Sequence, residues 1–170
     1  MSQQDLITPH GGTLVNRLVD AERGKALAEK ARELPSITLS AKQACDLEMI
    51  AIGAFSPLIG FVGADDFKTI CTEMKLADGT VWPIPITLAV DDAVKGSVKE
   101  GGQVALHHAD GTLMAVMEVE EIYPHDKTLE IPNVFRTSDE SHPGVKQVMD
   151  EGDWCLGGAV AVLTIVPEKQ

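Results

Sequence analysis

The period of the apolar residues changes once along this chain, and that change constrains the fold more than any other feature. Up to Met74 the apolar residues recur at helical spacing; from Trp82 onward they alternate. A pattern with one period does not sit well in the other structure. The chain is therefore expected to be α+β, with helices first and short strands after. Strands this short and numerous are expected to curl into a small barrel or pseudo-barrel, which leaves few open edges.

The helical part has readable limits. Pro9-His10-Gly11-Gly12 reads as a turn or a pinned arm, so the arm is set at 1–19. The mainly helical part is set at 20–75 and the mainly β part at 76–166 of a single domain spanning 1–170. Asp20 is placed to cap a helix running to Glu33, which Pro35 ends. Ser36 to Leu39 alternates as a short strand does. Ser40 and Gln43 then form a capping box, in which two side chains satisfy two orphan backbone donors. Ala44, Leu47, Ile50, Ala51 and Ala54 fall near one helix face, and Gly53 and Pro57 stop the helix. Phe67, Ile70, Cys71 and Met74 make one buried stripe in a third helix, Asp65 to Met74, before a turn at Leu76 to Gly79.

In the β part, Ile84, Ile86, Leu88 and Val90 alternate with Pro85, Thr87 and Ala89, which predicts a strand at an edge or with a bulge. Val104 to His107 and Leu113 to Val119 are strands flanking Ala109-Asp110-Gly111, a hairpin signal. Thr128 to Ile131 and Ala159 to Val166 are further strand candidates. A linker into another domain is expected after Val166, where Pro167-Glu168-Lys169-Gln170 turns polar.

Charge and cysteine usage narrow the function classes. The 170 residues carry a formal net charge of -12, which opposes binding to a phosphate backbone, so no nucleic-acid partner is expected. No apolar run approaches the ~20 residues that span a bilayer, so no membrane partner is expected. Cys45, Cys71 and Cys155 are widely spaced and odd in number, which fits a reduced, cytoplasmic setting.

Residues that could carry chemistry have plainer readings. His107 and His108 are neighbours on a strand, so they point to opposite faces and cannot jointly hold one ion. With no third ligand at zinc-like spacing, no metal site is assigned. Thr137, Ser138, Asp139, Ser141 and His142 include the residue types of a hydrolase triad, but groups so close in sequence, ahead of Pro143-Gly144, fit a capped turn better. Gly152-Asp153-Trp154-Cys155-Leu156-Gly157-Gly158 lacks the lysine and hydroxyl of a P-loop and reads as a turn into the last strand. Cys155 reads as a small core residue. Trp82 and Trp154 read as core or domain-interface residues. Arg17 and Arg136 could each bind an anion; a solvated or salt-bridged side chain is the plainer reading.

Several runs, in order, resemble the amino-terminal domain of ATP sulfurylase (sulfate adenylyltransferase). They are Pro9-His-Gly-Gly-Thr-Leu-Val-Asn-Arg17, Leu39-Ser40 through Met49, Gly53-Ala-Phe-Ser-Pro-Leu-Ile-Gly-Phe61 and the strand Leu76 to Leu88 with its Trp82-Pro-Ile-Pro-Ile86. Gly111 to Val116, Val119 to Tyr123, Asp126-Lys127 with Glu130, Val134 to Thr137, His142-Pro-Gly-Val145 and Leu156-Gly-Gly158 follow in the family's order. The resemblance implies a PUA-like β pseudo-barrel with amino-terminal helices packed on it. It implies a parent enzyme that joins sulfate to ATP, giving adenylyl sulfate and pyrophosphate, with ATP and Mg2+ used by that parent.

The family's catalytic motifs, QxRNP-x-HxxH and GRDHAG, are not found here: His10, His107, His108, His125 and His142 make no HxxH pair. No catalytic, cofactor-binding or metal residue is therefore assigned, and the chain alone is expected to be inactive. The charge that develops on the α-phosphate and the leaving pyrophosphate calls for histidine and arginine donors, which the catalytic domain supplies in this family. The expected partner is that catalytic domain, on the same chain or a separate one. The alternative is a stand-alone PUA-like module that binds a protein or small ligand. The surface that meets the partner is expected to include Trp154 and the strand from Ala159. Left open, it is expected to favour self-association or binding of an apolar dye.

Overall fold

The computed structural model describes residues 6–166. The first five residues of the arm and the linker expected at Pro167 to Gln170 lie outside the described residues. In chain order the elements are α1 (Ala21–Ala31), β1 (Ser36–Thr38), α2 (Ala41–Ile52), β2 (Gly60–Phe61), α3 (Ala64–Glu73), β3 (Leu88–Val90), α4 (Asp92–Ser97), β4 (Gln103–His107), β5 (Leu113–Glu118), β6 (Glu121–Pro124), α5 (Lys127–Phe135), α6 (Pro143–Asp150) and β7 (Trp154–Val162). The architecture is α+β with a curled, barrel-like sheet, as the change of period predicts.

The helix limits follow the side chains that were expected to set them. The Asp20 carboxylate accepts from the Arg23 N–H at 2.8 Å at the start of α1. Ser40 and Gln43 form the reciprocal capping box of α2. Gly53 closes α2 at φ 87°, a left-handed conformation that costs a glycine little.

One strand organises the sheet. The first half of β7 pairs antiparallel with β3 and β6, placing Leu156 opposite both Leu88 and Ile122. Its second half pairs with β5, Val160 opposite Met117. Between them β2 joins, with Gly60 opposite Ala159 and Phe61 opposite Gly158. The strand thus changes partners across Gly157-Gly158. The glycines are needed for contact: a Cβ on Gly60 would lie 1.8 Å from the Gly158 carbonyl oxygen. The β4–β5 hairpin extends the sheet, and β1 adds to β4 in parallel. Leu47, Ile50, Leu88, Leu106, Met117 and Leu156 are fully buried in one apolar core between this sheet, α2 and α3.

Three expectations need correction. The strand expected from Ile84 pairs only from Leu88, because Pro83 and Pro85 remove two ladder donors. Ile84 is exposed, while Pro85, Thr87 and Ala89 are buried, against the predicted alternation. Thr128 to Ile131 is not a strand but the first turns of α5, capped by Asp126 accepting from the Leu129 N–H at 3.0 Å. The segment from Trp154 to Gly158 is not a turn: β7 starts at Trp154 and ends at Val162, short of Val166. Thr137 to His142 form the capped turn expected of them, and a helix follows at once. Pro143 takes the first position of α6, where no N–H donor is required.

Candidate functional site

Two places gather the features from which function is built: an apolar face beside the arm and a buried polar cluster at the base of α5.

The apolar face begins with the arm, whose described part lies on the surface and is pinned between His10 and Arg17. A His10 ring nitrogen meets the Val81 carbonyl at 2.6 Å, and the Val15 N–H donates to Ser56 Oγ at 2.9 Å. The Arg17 N–H donates to the Ala51 carbonyl at 3.0 Å, and its Nε–H donates to the Val160 carbonyl at 2.8 Å. Arg17 therefore serves as a clamp between arm and sheet rather than as an anion ligand. Beside the arm, Phe55, Trp82, Pro83, Ile84 and Ile86 line a cleft of about 550 Å³. The Phe55 and Trp82 rings meet edge to face at 5.7 Å, and His10 tilts over Trp82 at 5.9 Å. These are favourable aromatic geometries.

Two charged groups stand at one wall of this cleft. Lys42 Nζ contacts Asp46 Oδ2 at 2.9 Å, one helical turn apart on α2. Burial pushes the Asp46 carboxyl up, and the Lys42 charge and hydrogen bond only partly oppose it. Burial works to lower the Lys42 ammonium; Asp46, with Glu151 and Glu130 further off, outweighs it and leaves the lysine above its ordinary value. The pair is spent on itself, so the cleft offers an apolar wall rather than a free charge.

The polar cluster sits where β6, α5, α6 and β7 meet. His125 Nε2 lies 2.6 Å from Glu130 Oε2, and both side chains are buried. The other ring nitrogen, Nδ1, faces the Gly152 carbonyl at 3.1 Å. A carbonyl only accepts, so Nδ1 carries hydrogen, and Nε2 and the carboxylate hold one proton between them. Burial pulls the His125 pKa down, but the hydrogen bond and charge of Glu130, the Gly152 carbonyl and Glu151 more than reverse it. Lys127 adds a second clasp. Its ammonium donates to the Met149 carbonyl at 3.1 Å, contacts the Glu151 carbonyl, and pairs with Asp153 at 3.2 Å. A cation on the last carbonyls of α6 also suits the helix dipole. Phe67 stands edge-on to His125 at 5.9 Å, and both are buried. The sequence showed Glu130 and Lys127 only as part of a family run; the signal that could have found the cluster is a histidine followed five residues later by a carboxylate across a capped helix start.

The other candidates are scattered. His107 is at the end of β4, and His108 Nδ1 contacts Asp110 at 3.1 Å in the hairpin turn. Among the described residues, no group of three His, Cys, Asp or Glu side chains is placed to hold a metal ion. Thr137, Asp139 and Ser141 hold successive turns, and His142 Nδ1 accepts from the Gly144 N–H at 3.1 Å, capping α6. Ser138 lines a shallow hollow with Pro132 and Met149. Arg136 takes the left-handed position that ends α5. Cys155 is fully buried with its thiol pushed well up, and burial lifts the Cys71 thiol to about 12, so both are inert.

Trp154 does not belong to an open face. It is half-buried, its Nε1–H donates to Asp92 at 2.8 Å, and the Lys95 ammonium lies 3.9 Å from the ring centroid. Along β7 from Ala159, Val160 and Val162 are buried. The most exposed large apolar side chains among the described residues lie elsewhere, beside the arm.

Similarity to known proteins places this fold. The family described as "PUA-like domain" matches residues 7–165. Sulfate adenylyltransferase from Synechococcus sp. (strain JA-3-3Ab) is 45% identical over 159 residues, 94% of this chain and 40% of that protein. Sulfate adenylyltransferase from Nostoc punctiforme is 44% identical over 166 residues, 98% of this chain and 42% of that protein. The "Probable bifunctional SAT/APS kinase 2" of Sorangium cellulosum is 45% identical over 93% of this chain and 27% of its own length. In three dimensions, the hexameric APS kinase from Thiobacillus denitrificans matches 96% of this chain and 28% of that one, with a TM-score of 0.73 at 31% identity. The chain thus spans about two fifths of the length of the sulfate adenylyltransferases it matches. By its curled sheet and by sequence, the chain belongs to the PUA-like domain family and is akin to the region of that kind found in sulfate adenylyltransferases.

Proposed function

We propose that this chain is the accessory, non-catalytic domain of a sulfate adenylyltransferase, the enzyme that joins sulfate to ATP and releases pyrophosphate. One observation carries the reading: identity of 44–45% runs along nearly the whole chain to a region that makes up two fifths of enzymes of that name. The rest of the enzyme binds ATP and performs the transfer; this domain supports it.

The chemistry supports the same division. Transfer at the α-phosphate needs convergent positive donors. Here His125 is closed in its pair with Glu130, His142 caps a helix, His10 meets a carbonyl and Arg17 clamps the arm. Each of these groups is committed to holding the fold. No helix among the described residues is long and apolar enough to cross a membrane. Cys45, Cys71 and Cys155 are free thiols. Work in the cytosol is part of the proposal.

The test is precipitation of the native protein from source cells with an antibody raised against this chain. Sulfate-dependent formation of adenylyl sulfate in the precipitate is expected, with none from the purified 170-residue chain. A precipitate free of that activity would turn the reading toward a binding module that works alone.

A further inference from the structure

Among the described residues, the five most exposed large apolar side chains line two adjoining depressions beside the arm. Leu6, Ile7 and Leu14 are 91%, 94% and 63% exposed, and Val81 and Ile84 are 57% and 53% exposed. The first three line a hollow under the arm, the last two the Phe55–Trp82 cleft, and His10 and Ala54 border both. The hollow is lined without a single Asp, Glu, Lys or Arg, although the chain carries a net charge of -12. A contiguous apolar patch on a strongly charged protein marks a contact surface.

This surface is held in shape. The His10, Val15 and Arg17 hydrogen bonds fix the arm from three points. Gly11 lies so close to the Pro57 ring that an added Cβ would sit 2.7 Å from it. A backbone already fixed loses little freedom when a partner arrives.

We infer that this face is where the remainder of a sulfate adenylyltransferase polypeptide docks, laying an apolar surface over Leu14 and into the Phe55–Trp82 cleft. The inference rests on the function proposed above. Two observations choose this occupant over a second copy. The matched relatives are more than twice the length of the region they share with this chain, so their larger part has to meet this domain somewhere. Val166, the last described residue, lines a hollow with Ala41, Ala44, Cys45 and Glu48 of α2. The same helix ends at Ile52, beside the apolar face, and its 12 residues measure about 18 Å. In a chain of the relatives' kind, a segment continuing from Val166 starts within one helix length of the surface it would cover.

The test places Leu14→Asp and Ile84→Asp, singly and together, in the source gene. Both side chains are exposed, so the purified variant chains are expected to keep the circular dichroism and melting temperature of the wild type. Sulfate adenylyltransferase activity recovered with the antibody is expected to fall about tenfold or more in the double variant, since a carboxylate is trapped against apolar surface. Lys25→Asp on α1 is expected to leave it unchanged. Wild-type activity in the double variant overturns the docking surface while the accessory-domain reading stands. A wild-type precipitate without activity overturns that reading and the partner with it. A precipitate holding this chain alone as a stable dimer, dissolved by Leu14→Asp, replaces the proposed partner with a second copy.

Discussion

The sheet core and the α5–α6 lobe are neighbours held by different forces. Around β7, Leu47, Leu88, Leu106, Met117 and Leu156 exclude water and need no polar partner. The lobe has only a small apolar cluster of its own, Ile131, Val145 and Val148 with Phe135 against them. Leu129 and Val134 pack it against the main core, Glu130 pairs with His125, and Lys127 ties α5 to the end of α6. Apolar burial is indifferent to pH, whereas a buried proton-sharing pair is not. The lobe is thus the part of the molecule that conditions can loosen first.

The comparison can be broken from the apolar side with the largest effect. Leu156→Ala is expected to cost about 3 kcal/mol, the usual range for an emptied leucine site, read from urea denaturation of the whole chain. Loosening of the lobe alone by this change would show that the two regions are less distinct than drawn. Glu130→Ala comes next, at about 2 kcal/mol, because His125 keeps a buried donor without its acceptor. Hydrogen exchange is expected to quicken in α5 and α6 and to stay slow in β4 and β5. Equal quickening everywhere would show that the pair holds the whole fold.

The pH dependence sharpens the contrast by a smaller amount. The folded pKa of His125 is raised from 6.5. The contribution of the pair is therefore full below that value and fades as pH rises through the raised pKa. The urea midpoint is expected to drop across that alkaline window in the wild type and to drop less in Glu130→Gln, which has no carboxylate for the proton to be shared with. Identical profiles in the two proteins would remove His125 as the source. Ser40→Ala is the smallest change, about 1 kcal/mol for a lost helix cap, and is expected to lower the urea midpoint without altering hydrogen exchange in the lobe.

Much of the first region was legible because its signals are local. Ser40, Gln43 and Gly53 bound α2 by side-chain and backbone chemistry within a few residues. The hairpin at Asp110-Gly111 is local in the same sense. The second region was misread where local signals compete. Thr128 to Ile131 has strand-like residues, and Pro132 interrupts the helical pattern, so the Asp126 cap was overlooked. In the first region, Gly157-Gly158 reads as a turn because glycine usually marks one. Its reason here is close contact: an added Cβ on Gly157 would lie 2.8 Å from the Gly63 Cα, on a loop nearly a hundred residues earlier. The open face was placed at Trp154, since a tryptophan near the end of a chain carries no sign of the Asp92 and Lys95 that occupy it.

The sequence by itself determined the class of fold, the start and stop of the first helices, the hairpin and the family, because each is written in spacing, caps and ordered motifs along one stretch of chain. Tertiary structure alone decided which side chains are covered. The pairing of His125 with Glu130, the pinning of the arm by Arg17 and the exposure of Leu14 and Ile84 depend on segments far apart in sequence. Burial and proton sharing are properties of three-dimensional neighbours, and no pattern within one segment can specify them.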